Sequence, residues 1–350
     1  MKKSIKIATK IILFILIILA IFFGSLSYLN KPKDKNDESF KTISIEKGYS
    51  TDDIASALYK EGVISSKKSF KIISRIYRFD GKYQAGTYAI SPAMRPRIIA
   101  KKIADGKVEA KIFTIPEGFS ILQIADRLDK NKIVRKDDFL KAVRSKSYDK
   151  NFKFLNNAQS GDNHLEGYLY PLTYHVAVNA TSQQIVESML SETSKFFTKE
   201  NEEKAKKLGY NLNEIMIIAS LIEREAGIDE DRGKIASVIY NRLKIDMPLQ
   251  LCSSVQYAQS LAGLPHKEDL SIEDTQFDSP YNTYIHKGLP AGPVCSPGKK
   301  SIEAALNPEK TDYLYFVLSG KLDGSSEFSK DISDFEKNKE SYTKAREKKN

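Results

Sequence analysis

The chain has 350 residues, which is enough for two or three domains with a sizeable hydrophobic core. Its net charge of +10 is spread along lysine-rich segments rather than concentrated in a basic arm, which argues against a nucleic-acid-binding protein and suits an anionic envelope. The four histidines are scattered and there is no Cys-x-x-Cys motif, so the sequence predicts neither a metal site nor a cofactor.

An apolar segment near the N-terminus is the first predicted element. Residues 11–29 contain no charged side chain, and this length is close to the roughly 20 residues that cross a bilayer as a helix. Four lysines precede the segment, so residues 1–10 are expected in the cytoplasm and everything after a linker at 30–40 outside it. The alternative is a cleaved signal peptide, although no A-x-A-like site follows. We predict an uncleaved single-pass anchor in the cell membrane.

A repeat follows the linker. Residues 43–64 (ISIEKGYSTDDIASALYKEGVI) match residues 113–134 (FTIPEGFSILQIADRLDKNKIV) at a constant offset of 70 residues. Each copy predicts a short strand, a glycine turn, a serine N-cap and an amphipathic helix. This arrangement resembles the LysM module, which binds glycans rich in N-acetylglucosamine; the alternative is a pair of scaffold units without a ligand. We place a LysM-like domain at 41–110 and a second domain at 111–345, which opens with the second repeat at 113–140.

The remaining elements follow from the hydrophobic periodicity. Between the repeats we predict a strand at Gly86–Ile90 and a helix at Arg97–Ala104. From residue 182 onward the chain is predicted to be helical, with one helix at Leu212–Ala226, and residues 313–318 (YLYFVL) have the composition of a buried strand. The predicted fold class is α+β, with an N-terminal transmembrane helix, a small LysM-like βα domain and a mixed α/β second domain.

The helix at Leu212–Ala226 ends in the sequence ASLIEREAG and carries two candidate catalytic carboxyls. Its isoleucines form a core face at helical spacing. Glu223 lies over Ala219 and Ser220, whose small side chains leave a gap that can form a cleft. Glu225 lies over bulkier residues, which leave less room.

A carboxyl in such a semi-apolar cleft is disfavoured as the anion, which would keep Glu223 protonated and ready to act as a general acid. The alternative is that both glutamates are surface residues near the helix end, paired with Arg224 or Arg232. The helix by itself does not decide between these two interpretations.

Two other segments are rich in rings and amides. HLEGYLYPLTYHV at 164–176 surrounds Glu166 with aromatic and imidazole rings, and SPYNTYIHKGLPAGPVCSPG occupies residues 279–298. Rings stack on pyranose faces while amides and hydroxyls bond sugar hydroxyls, so both segments are typical of a glycan groove. The alternative for each is a strand or loop packed on the core.

Together these segments resemble the membrane-bound endolytic murein transglycosylases, the YceG-like or MltG family. EGYLYPLTY is similar to the family's Glu-Gly-aromatic-x-aromatic-Pro-x-Thr signature, and ASLIEREA is similar to its A-S-x-x-E-x-E motif. KIASVIYNRLKIDMPLQ and SPYNTYIHKGLPAGPVCSPG are similar to two further blocks. The likeness covers nearly the whole chain, so the resemblance implies that 111–345 is a YceG-like catalytic domain.

The resemblance also implies a reaction. Such lytic transglycosylases cleave the bond between N-acetylmuramic acid and N-acetylglucosamine without water. One glutamate protonates the leaving oxygen and then takes the proton of the C6 hydroxyl that attacks C1, whereas most glycosidases use two carboxylates. By motif position, Glu223 matches the family's catalytic residue. The product ends in a 1,6-anhydro sugar.

The remaining site residues are assigned by their places in the motifs. We expect substrate contacts from six residues: Glu166, Tyr168, Gln250, Tyr281, Asn282 and Tyr284. For Glu166 the alternative is a role in the structure of the cleft. We expect Asn241 and Arg242 to support the cleft from the adjoining helix.

The chain departs from the family pattern at three positions. Cys252 stands where some members carry an aspartate, and Cys295 lies in the proline-rich block. We predict a disulfide between them; two buried thiols are the alternative. Ser326 stands where some members carry a histidine, so any catalytic role of that histidine is absent here.

The predicted function is to limit the length of nascent glycan strands near the membrane. Its substrate would be peptidoglycan, and the family implies peptidoglycan synthases or the elongation and division machinery as partners. One alternative is a hydrolytic muramidase in which Glu166 or Glu225 is a second carboxylate. The other is a catalytically silent, membrane-anchored glycan-binding protein.

Overall fold

The computed structural model describes residues 2–37, 41–107, 110–158, 161, 163–178 and 180–349. Within its helices and strands, the side chains of residues 2–12, 15, 42, 110, 175 and 349 fall outside the description. In the described part of the chain α-helices dominate, and the strands form three separate two-stranded sheets. The chain divides into two compact units, Met1–Lys111 with His175–Ala180, and Ile112–Tyr174 with Thr181–Asn350.

The helices, in chain order, are α1 (Lys2–Leu29), α2 (Thr51–Lys60), α3 (Lys67–Ile76), α4 (Pro96–Ala104), α5 (Ile121–Lys130), α6 (Lys136–Val143), α7 (Ser182–Ser194), α8 (Lys199–Leu208), α9 (Leu212–Glu225), α10 (Arg232–Lys244), α11 (Cys252–Leu261), α12 (Lys299–Leu306) and α13 (Ile332–Lys349). The strands pair as β1 (Lys41–Ile45) with β2 (Gly86–Ile90), β3 (Ala110–Thr114) with β4 (Thr173–Ala177), and β5 (Tyr315–Leu318) with β6 (Ser326–Ser329).

The predicted membrane span falls on α1. No helix within the described residues combines the length and the apolar character needed to cross a bilayer. The predicted span at 11–29 includes Ile11, Ile12 and Ile15, whose side chains lie outside the description. The anchor and the cytoplasmic tail therefore stay predictions.

The first repeat folds as strand β1 and helix α2, and helix α3 and the returning strand β2 follow it. β1 pairs antiparallel with β2, and Ile43 lies opposite Tyr88 in a buried core. Ser50 closes the N-terminus of α2 through a capping box with Asp53, which satisfies backbone N–H groups that have no partner inside the helix. The strand-turn-helix order predicted for this repeat is confirmed, and so is the strand at Gly86–Ile90.

The second repeat has the same order of strand, turn and helix. Gly118 in its turn has a φ of 76°, a backbone conformation that residues with side chains rarely adopt. Ser120 then caps α5 through a capping box with Gln123. The ring of Phe113 in β3 stacks on Tyr174 in β4, with 5.5 Å between the ring centroids. The turn around Gly118 is thus held on one side by the stacked ring of Phe113 and on the other by the cap of α5.

Helix α9 packs against four other helices of the second unit: α8, α10, α11 and α12. Its N-terminus is capped by Asn211, whose side-chain oxygen accepts bonds from the backbone N–H groups of Asn213 and Glu214. The core face predicted for this helix is confirmed, because Ile218 and Ile222 are fully buried. Each such side chain contributes roughly 1.5–3 kcal/mol.

The end of α9 differs slightly from the prediction. The helix ends at Glu225, one residue early, and Ala226 forms its C-cap in an extended conformation. Gly227 follows this C-cap and has a steric reason to be glycine: an added Cβ would lie 2.2 Å from the carbonyl oxygen of Gly324.

Two predictions about the second unit need correction. The strand predicted at 313–318 is shorter, at Tyr315–Leu318, and is only partly buried, because a two-stranded sheet packed against α13 leaves one face near solvent. The unit is also less sheet-rich than the predicted mixed α/β domain. Its described strands form two-stranded ribbons, and helices supply most of its core.

Candidate active site

Glu223 lies in the last turn of α9, and its side chain is 7 % exposed. One carboxylate oxygen, Oε2, accepts a bond from the backbone N–H of Gly298 at 2.9 Å and one from the Ser301 hydroxyl at 2.8 Å. Both donors belong to the N-terminus of α12, where backbone N–H groups point outward and favour negative charge. The glutamate is therefore held at a defined position between two helices.

Arg232, the first residue of α10, is the cation at this site. Its Nη2 donates to Glu223 Oε1 at 3.4 Å, and its Nη1 lies 3.4 Å from Glu223 Oε2. Nη1 also donates to the Ser301 hydroxyl, and Nε donates to Asp229 at 3.0 Å. Of the two arginines considered as partners of Glu223, the structure selects Arg232.

The surroundings of Glu223 are more polar than the sequence predicts. The gap expected over the small residues of α9 is filled by the 294–298 loop, because the N–H of Val294 donates to the Ser220 hydroxyl at 3.0 Å. Arg232 and the N–H of Gly298 contact the Glu223 carboxylate as well. Charged and hydrogen-bonding groups therefore surround this carboxyl, where the sequence predicted a semi-apolar cleft.

Glu225 is separated from this arrangement. Its carboxylate accepts bonds from the backbone N–H and the hydroxyl of Ser253, at 3.3 and 2.6 Å. Ser253 is in the first turn of α11, so Glu225 links the end of α9 to the start of that helix. Burial raises the pKa of Glu225, and the Ser253 donors oppose that rise. The geometry gives Glu225 a structural role.

Glu117 is a neighbour of Glu223 that the sequence analysis missed. It precedes Gly118 in the turn of the second repeat, and a Cβ added at Gly118 would lie 3.7 Å from Glu223 Cγ. The Glu117 carboxyl rests on Gly298, because a Cβ added there would lie 2.1 Å from Glu117 Cδ. Two effects raise the pKa of Glu117: burial, which is the larger, and the negative charge of Glu223.

One signal in the sequence could have identified Glu117. The equivalent position in the first repeat is Lys47, so the two copies differ in the sign of the charge immediately before the turn glycine. Nothing in the sequence, however, relates that turn to α9.

Glu166 and Tyr168 lie inside the second unit. Glu166 is 1 % exposed; both of its oxygens accept the N–H of Ile121 at 3.2 Å, and Oε2 accepts the Tyr257 hydroxyl at 2.9 Å. Burial raises the pKa of Glu166 to about 7. The Tyr168 hydroxyl accepts a bond from Asn213 at 2.9 Å. We therefore reassign both residues from substrate contacts to the interior, which for Glu166 agrees with the alternative of cleft structure.

Tyr281 and Asn282 are also buried. The Asn282 amide donates to the carbonyls of Thr275 and Phe277, at 3.0 and 2.8 Å, and its oxygen accepts the N–H of Tyr284 at 2.9 Å. The Tyr281 ring meets Tyr257 edge-on at 4.8 Å. The polar groups of Asn282 are thus engaged within the protein, and both residues shape the loop rather than contact a ligand.

Gln250 and Tyr284 are the two expected contacts that reach the surface. Gln250 is exposed and has a φ of 50°, and its N–H donates to the Thr283 carbonyl at 3.0 Å. Tyr284 is half-buried, with its hydroxyl 3.2 Å from Cys252 Sγ. A positive φ at a residue with a side chain is strained, and such strain is concentrated at functional sites.

Asn241 and Arg242 of α10 brace the neighbouring loops. The Asn241 amide donates to the carbonyls of Thr311 and Tyr313, both at 2.9 Å. Arg242 donates to the carbonyl of Leu249 at 2.7 Å, directly before Gln250 in the chain. Arg242 therefore supports the loop that carries Gln250, and Asn241 binds the segment before β5.

The predicted disulfide is absent, because both cysteines are free thiols. Cys252 is exposed beside the Tyr284 hydroxyl. Cys295 is buried and its thiol donates to the Ser220 carbonyl at 3.4 Å. Burial raises the pKa of both thiols.

Two further features of the described residues concern Ser326 and metal ligands. Ser326, at the position of the family's histidine, donates its backbone N–H to Asp231 at 2.7 Å. Among the residues whose side chains are described, no group of three or more His, Cys, Asp or Glu could hold a metal ion.

The model of the YceG-like family matches residues 43–341. The chain is 37 % identical to the endolytic murein transglycosylase of Bacillus subtilis (strain 168) over 335 residues, which cover 92 % of this chain and 90 % of that protein. It is 33 % identical to the endolytic murein transglycosylase of Streptococcus pneumoniae serotype 2 over 309 residues, which cover 82 % of this chain and 55 % of that longer protein.

A solved structure is also similar. The crystal structure of a YceG-like protein from Listeria monocytogenes superimposes with a TM-score of 0.58 at 35 % identity, covering 86 % of this chain and 99 % of that one. The chain therefore belongs to the YceG-like family, whose relatives above carry the name endolytic murein transglycosylase.

Proposed function

We propose that this chain is an endolytic lytic transglycosylase of peptidoglycan and that Glu223 is its catalytic acid and base. One observation carries the proposal. In a family with relatives named endolytic murein transglycosylase, the first glutamate of ASLIEREA is nearly buried and is bound by Arg232, Gly298 and Ser301. A carboxyl that is held in place is suited to donate one proton to the leaving oxygen and then to accept another from the C6 hydroxyl.

The proposed reaction has two proton transfers. Protonated Glu223 gives its proton to the oxygen between N-acetylmuramic acid and N-acetylglucosamine as the C1–O bond breaks. The resulting carboxylate accepts the proton of the C6 hydroxyl while that oxygen forms a bond to C1 of the same sugar. The product ends in a 1,6-anhydro sugar, no water is consumed, and Glu223 is protonated again.

The neighbours of Glu223 suit the interval between the two transfers. Arg232 and the N–H of Gly298 stabilise the carboxylate that exists after the first transfer, and they are in place before the reaction starts. The Ser301 hydroxyl can donate to the carboxylate or accept from the protonated acid, so it can serve both states.

We assign the glycan contacts to Gln250 and Tyr284 rather than to the buried residues of the two ring-rich segments. Gln250 and Tyr284 are the exposed and half-exposed members of the expected set, and buried Thr283 joins the two segments that carry them. The amide of Gln250 is suited to bond sugar hydroxyls, and the phenol ring of Tyr284 is suited to stack on a pyranose face.

The first repeat is proposed as an accessory glycan-binding module. A surface cavity of about 590 Å³ lies between β1 and α2, and Tyr49, Asp53 and Lys60 are among its lining residues. A ring flanked by polar groups fits an amino sugar. If Tyr49→Ala leaves the binding of N-acetylglucosamine oligomers unchanged, the repeat is a scaffold without a ligand, as in the alternative above.

We also propose that residues 11–29 anchor the enzyme in the cell membrane, with the catalytic unit outside. The anchor would confine cleavage to nascent glycan near the bilayer and so limit strand length, beside the synthases or the elongation and division machinery. Carbonate extraction of membranes tests this: an anchored chain stays in the pellet, and a chain found in the supernatant contradicts it.

The hydrolytic alternative has less support, because its two candidate second carboxylates are engaged elsewhere. Glu166 is buried against α5 and α11, and Glu225 binds the N-terminus of α11. Neither carboxylate is free to activate a water or attack a sugar.

The test uses the full-length chain in detergent with purified peptidoglycan. We expect Glu223→Gln to reduce the release of glycan fragments by at least about 1,000-fold, because the amide cannot donate and recover the proton. Glu187→Gln is the matched control, since Glu187 is an exposed glutamate of α7 in the same unit. Release that is unaffected by Glu223→Gln would contradict the catalytic role of Glu223, and no release from the wild type would leave the silent glycan-binding protein as the better account.

A further inference from the structure

One ring of the segment EGYLYPLTY reaches the surface of the second unit. Tyr168 and Tyr174 of this segment are buried, whereas Tyr170 is half-buried and no described residue bonds its hydroxyl. The Tyr170 carbonyl accepts the Tyr174 hydroxyl at 2.6 Å, which fixes the backbone that carries the ring. The function proposed above does not yet use this phenol.

The backbone places Tyr170 beside the turn of the second repeat. The N–H of Ile115 donates to the Leu172 carbonyl at 3.0 Å. Glu117 follows Ile115 by two residues, and Tyr170 precedes Leu172 by two residues. The side chains of Glu117 and Tyr170 therefore start from backbone segments that lie next to each other.

A second contact joins the same segment to the loop that binds Glu223. An added Cβ at Gly167, three residues before Tyr170, would lie 2.3 Å from Pro293 Cβ. Five residues beyond Pro293, the N–H of Gly298 donates to Glu223. Burial is the largest cause that raises the pKa of the Tyr170 phenol, and the negative charges of four glutamates add to it: Glu117, Glu192, Glu303 and Glu223. Tyr170 thus lies near the candidate acid by backbone contacts and by electrostatics.

A cavity of about 520 Å³ between α8 and α12 adjoins the ring of Tyr170. Phe196 in its lining packs against that ring, with 5.2 Å between the ring centroids. Glu303, whose charge acts on Tyr170, is also in the lining. The volume is within the roughly 300–1,000 Å³ that small-molecule sites occupy.

Two asparagines line the cavity with their side-chain oxygens available. The Asn201 amide donates to the Phe196 carbonyl at 2.9 Å, and the Asn307 amide donates to the Glu303 carbonyl at 2.9 Å. These bonds orient both amides, and no described residue bonds either side-chain oxygen. An amide oxygen accepts the N–H of an N-acetyl group or a hydroxyl, while an aromatic ring packs on a pyranose face.

The charges in the lining are already compensated. Lys204 and Glu303 are the charged residues of the described lining. Lys204 pairs with Glu200 at 2.7 Å, and Glu303 pairs with Lys299 at 3.4 Å. An uncharged sugar ring therefore complements this cavity better than an anion or a cation does.

We propose that Tyr170 and the cavity between α8 and α12 bind one N-acetylated sugar of the glycan strand, next to the bond that Glu223 cleaves. This inference rests on the proposed function and adds a substrate-contact residue to it. The Tyr170 ring stacks on the pyranose and its hydroxyl bonds a sugar hydroxyl, while Asn201 and Asn307 accept from the N-acetyl group or a hydroxyl.

The binding test uses a fluorescent reporter at this position. The chain contains no tryptophan, so Tyr170→Trp supplies a single indole. It is introduced into full-length Glu223→Gln in detergent, which is titrated with glycan strands that an amidase has freed of their peptides. We expect a saturable change in emission, because a stacked sugar removes water from the indole. Tyr342→Trp, at a half-buried position of α13, is the matched control and should not respond.

A second ligand tests the class of sugar. Cello-oligosaccharides have pyranose rings but no N-acetyl groups, so they lose the bonds that Asn201 and Asn307 offer. We expect them to bind at least about 10-fold more weakly to the Tyr170→Trp reporter protein. Equal affinity for the two ligands would overturn the assignment to an N-acetylated sugar.

The kinetic test uses the chain with Glu223 intact. Tyr170→Leu keeps an apolar contact with Phe196 but removes the ring, so KM for glycan should rise about 10-fold while kcat stays within about two-fold. Tyr170→Phe retains the ring and should recover most of the affinity. Tyr342→Leu is the control, and thermal unfolding establishes that each variant folds.

A saturable reporter response together with a raised KM for Tyr170→Leu supports the proposal. It is overturned if calorimetry records strand binding while the reporter stays silent, if no strand binds, or if folded Tyr170→Leu keeps the parent KM. Products with ordinary reducing ends would contradict the proposed function alone, because the reporter measurement involves no bond cleavage.

Discussion

At the scale of single residues, Glu166 shows how burial alone changes the behaviour of a carboxyl. It has no cation among its described partners, and three groups donate to it: the N–H groups of Ile121 and Gly167 and the hydroxyl of Tyr257. These donors do not offset the loss of water, so the pKa of Glu166 is raised from 4.5 to about 7. The protonated form is therefore favoured in the folded protein over most of the acidic range.

This pKa makes stability depend on pH in a defined direction. Because the folded state holds the proton more tightly than the unfolded state, raising the pH from about 4.5 to about 7 should lower the free energy of unfolding. The loss should be on the order of 3 kcal/mol and should level off above about pH 7. Glu166→Gln cannot titrate, so its stability should be flatter over this range, as measured by urea unfolding at several pH values. Parallel curves for the two proteins would contradict the assignment.

Residue types suggested Glu223 as the candidate acid, which stays a prediction, and they did not reveal that most of the expected glycan contacts are buried. Glu223 was found from its small neighbours on one helix face and from its motif, both of which are local. Asn282 has the chemistry of a sugar ligand, but its amide serves the backbone of its own loop, and sequence does not reveal which partner an amide takes. Glu117 was missed because only the folded chain brings the turn of the second repeat to the end of α9.

At the scale of elements, one buried threonine joins the loop before α11 to the loop that carries Tyr284. The Thr283 hydroxyl accepts the N–H of Leu251 at 3.0 Å and lies 2.9 Å from the Ser254 hydroxyl. Its carbonyl accepts the N–H of Gln250. The exposed Gln250 and the half-buried Tyr284 therefore lie on segments that the buried Thr283 joins.

Removing that connection should loosen the proposed glycan site. Thr283→Val keeps the shape of the side chain but leaves Leu251 N–H and the Ser254 hydroxyl without this partner, so we expect a loss of about 1–3 kcal/mol in unfolding free energy. KM for glycan should rise more than kcat falls, because the acid at Glu223 is untouched. Thr343→Val, on the exposed face of α13, is the control. A lower kcat with an unchanged KM would argue against a binding role for this loop.

The helices and turns were largely predictable because their signals are local. Serine caps and turn glycines mark both repeats, and the capped, apolar face of α9 marks that helix. The short β5–β6 ribbon was harder, since its aromatic run looks like a central strand and only the absence of further neighbouring strands in the described structure leaves it partly exposed.

At the scale of the whole molecule, the proposed accessory binding cavity and the proposed chemistry belong to different units. The unit Met1–Lys111 with His175–Ala180 contains the proposed accessory glycan cavity, and the other unit contains Glu223 and all of its partners. The proposed anchor belongs to the first unit. Such a division lets strand capture and bond cleavage be altered separately by mutation.

The central claim is that the glycosidic bond is broken by the substrate's own hydroxyl, with Glu223 carrying the proton. The most direct test is to digest peptidoglycan with the full-length chain in water enriched in ¹⁸O and to weigh the released fragments. The account predicts fragments one water lighter than hydrolysis products, with no ¹⁸O at the new end, and none of them with Glu223→Gln. Fragments that carry ¹⁸O at an ordinary reducing end would contradict it and would identify a hydrolase.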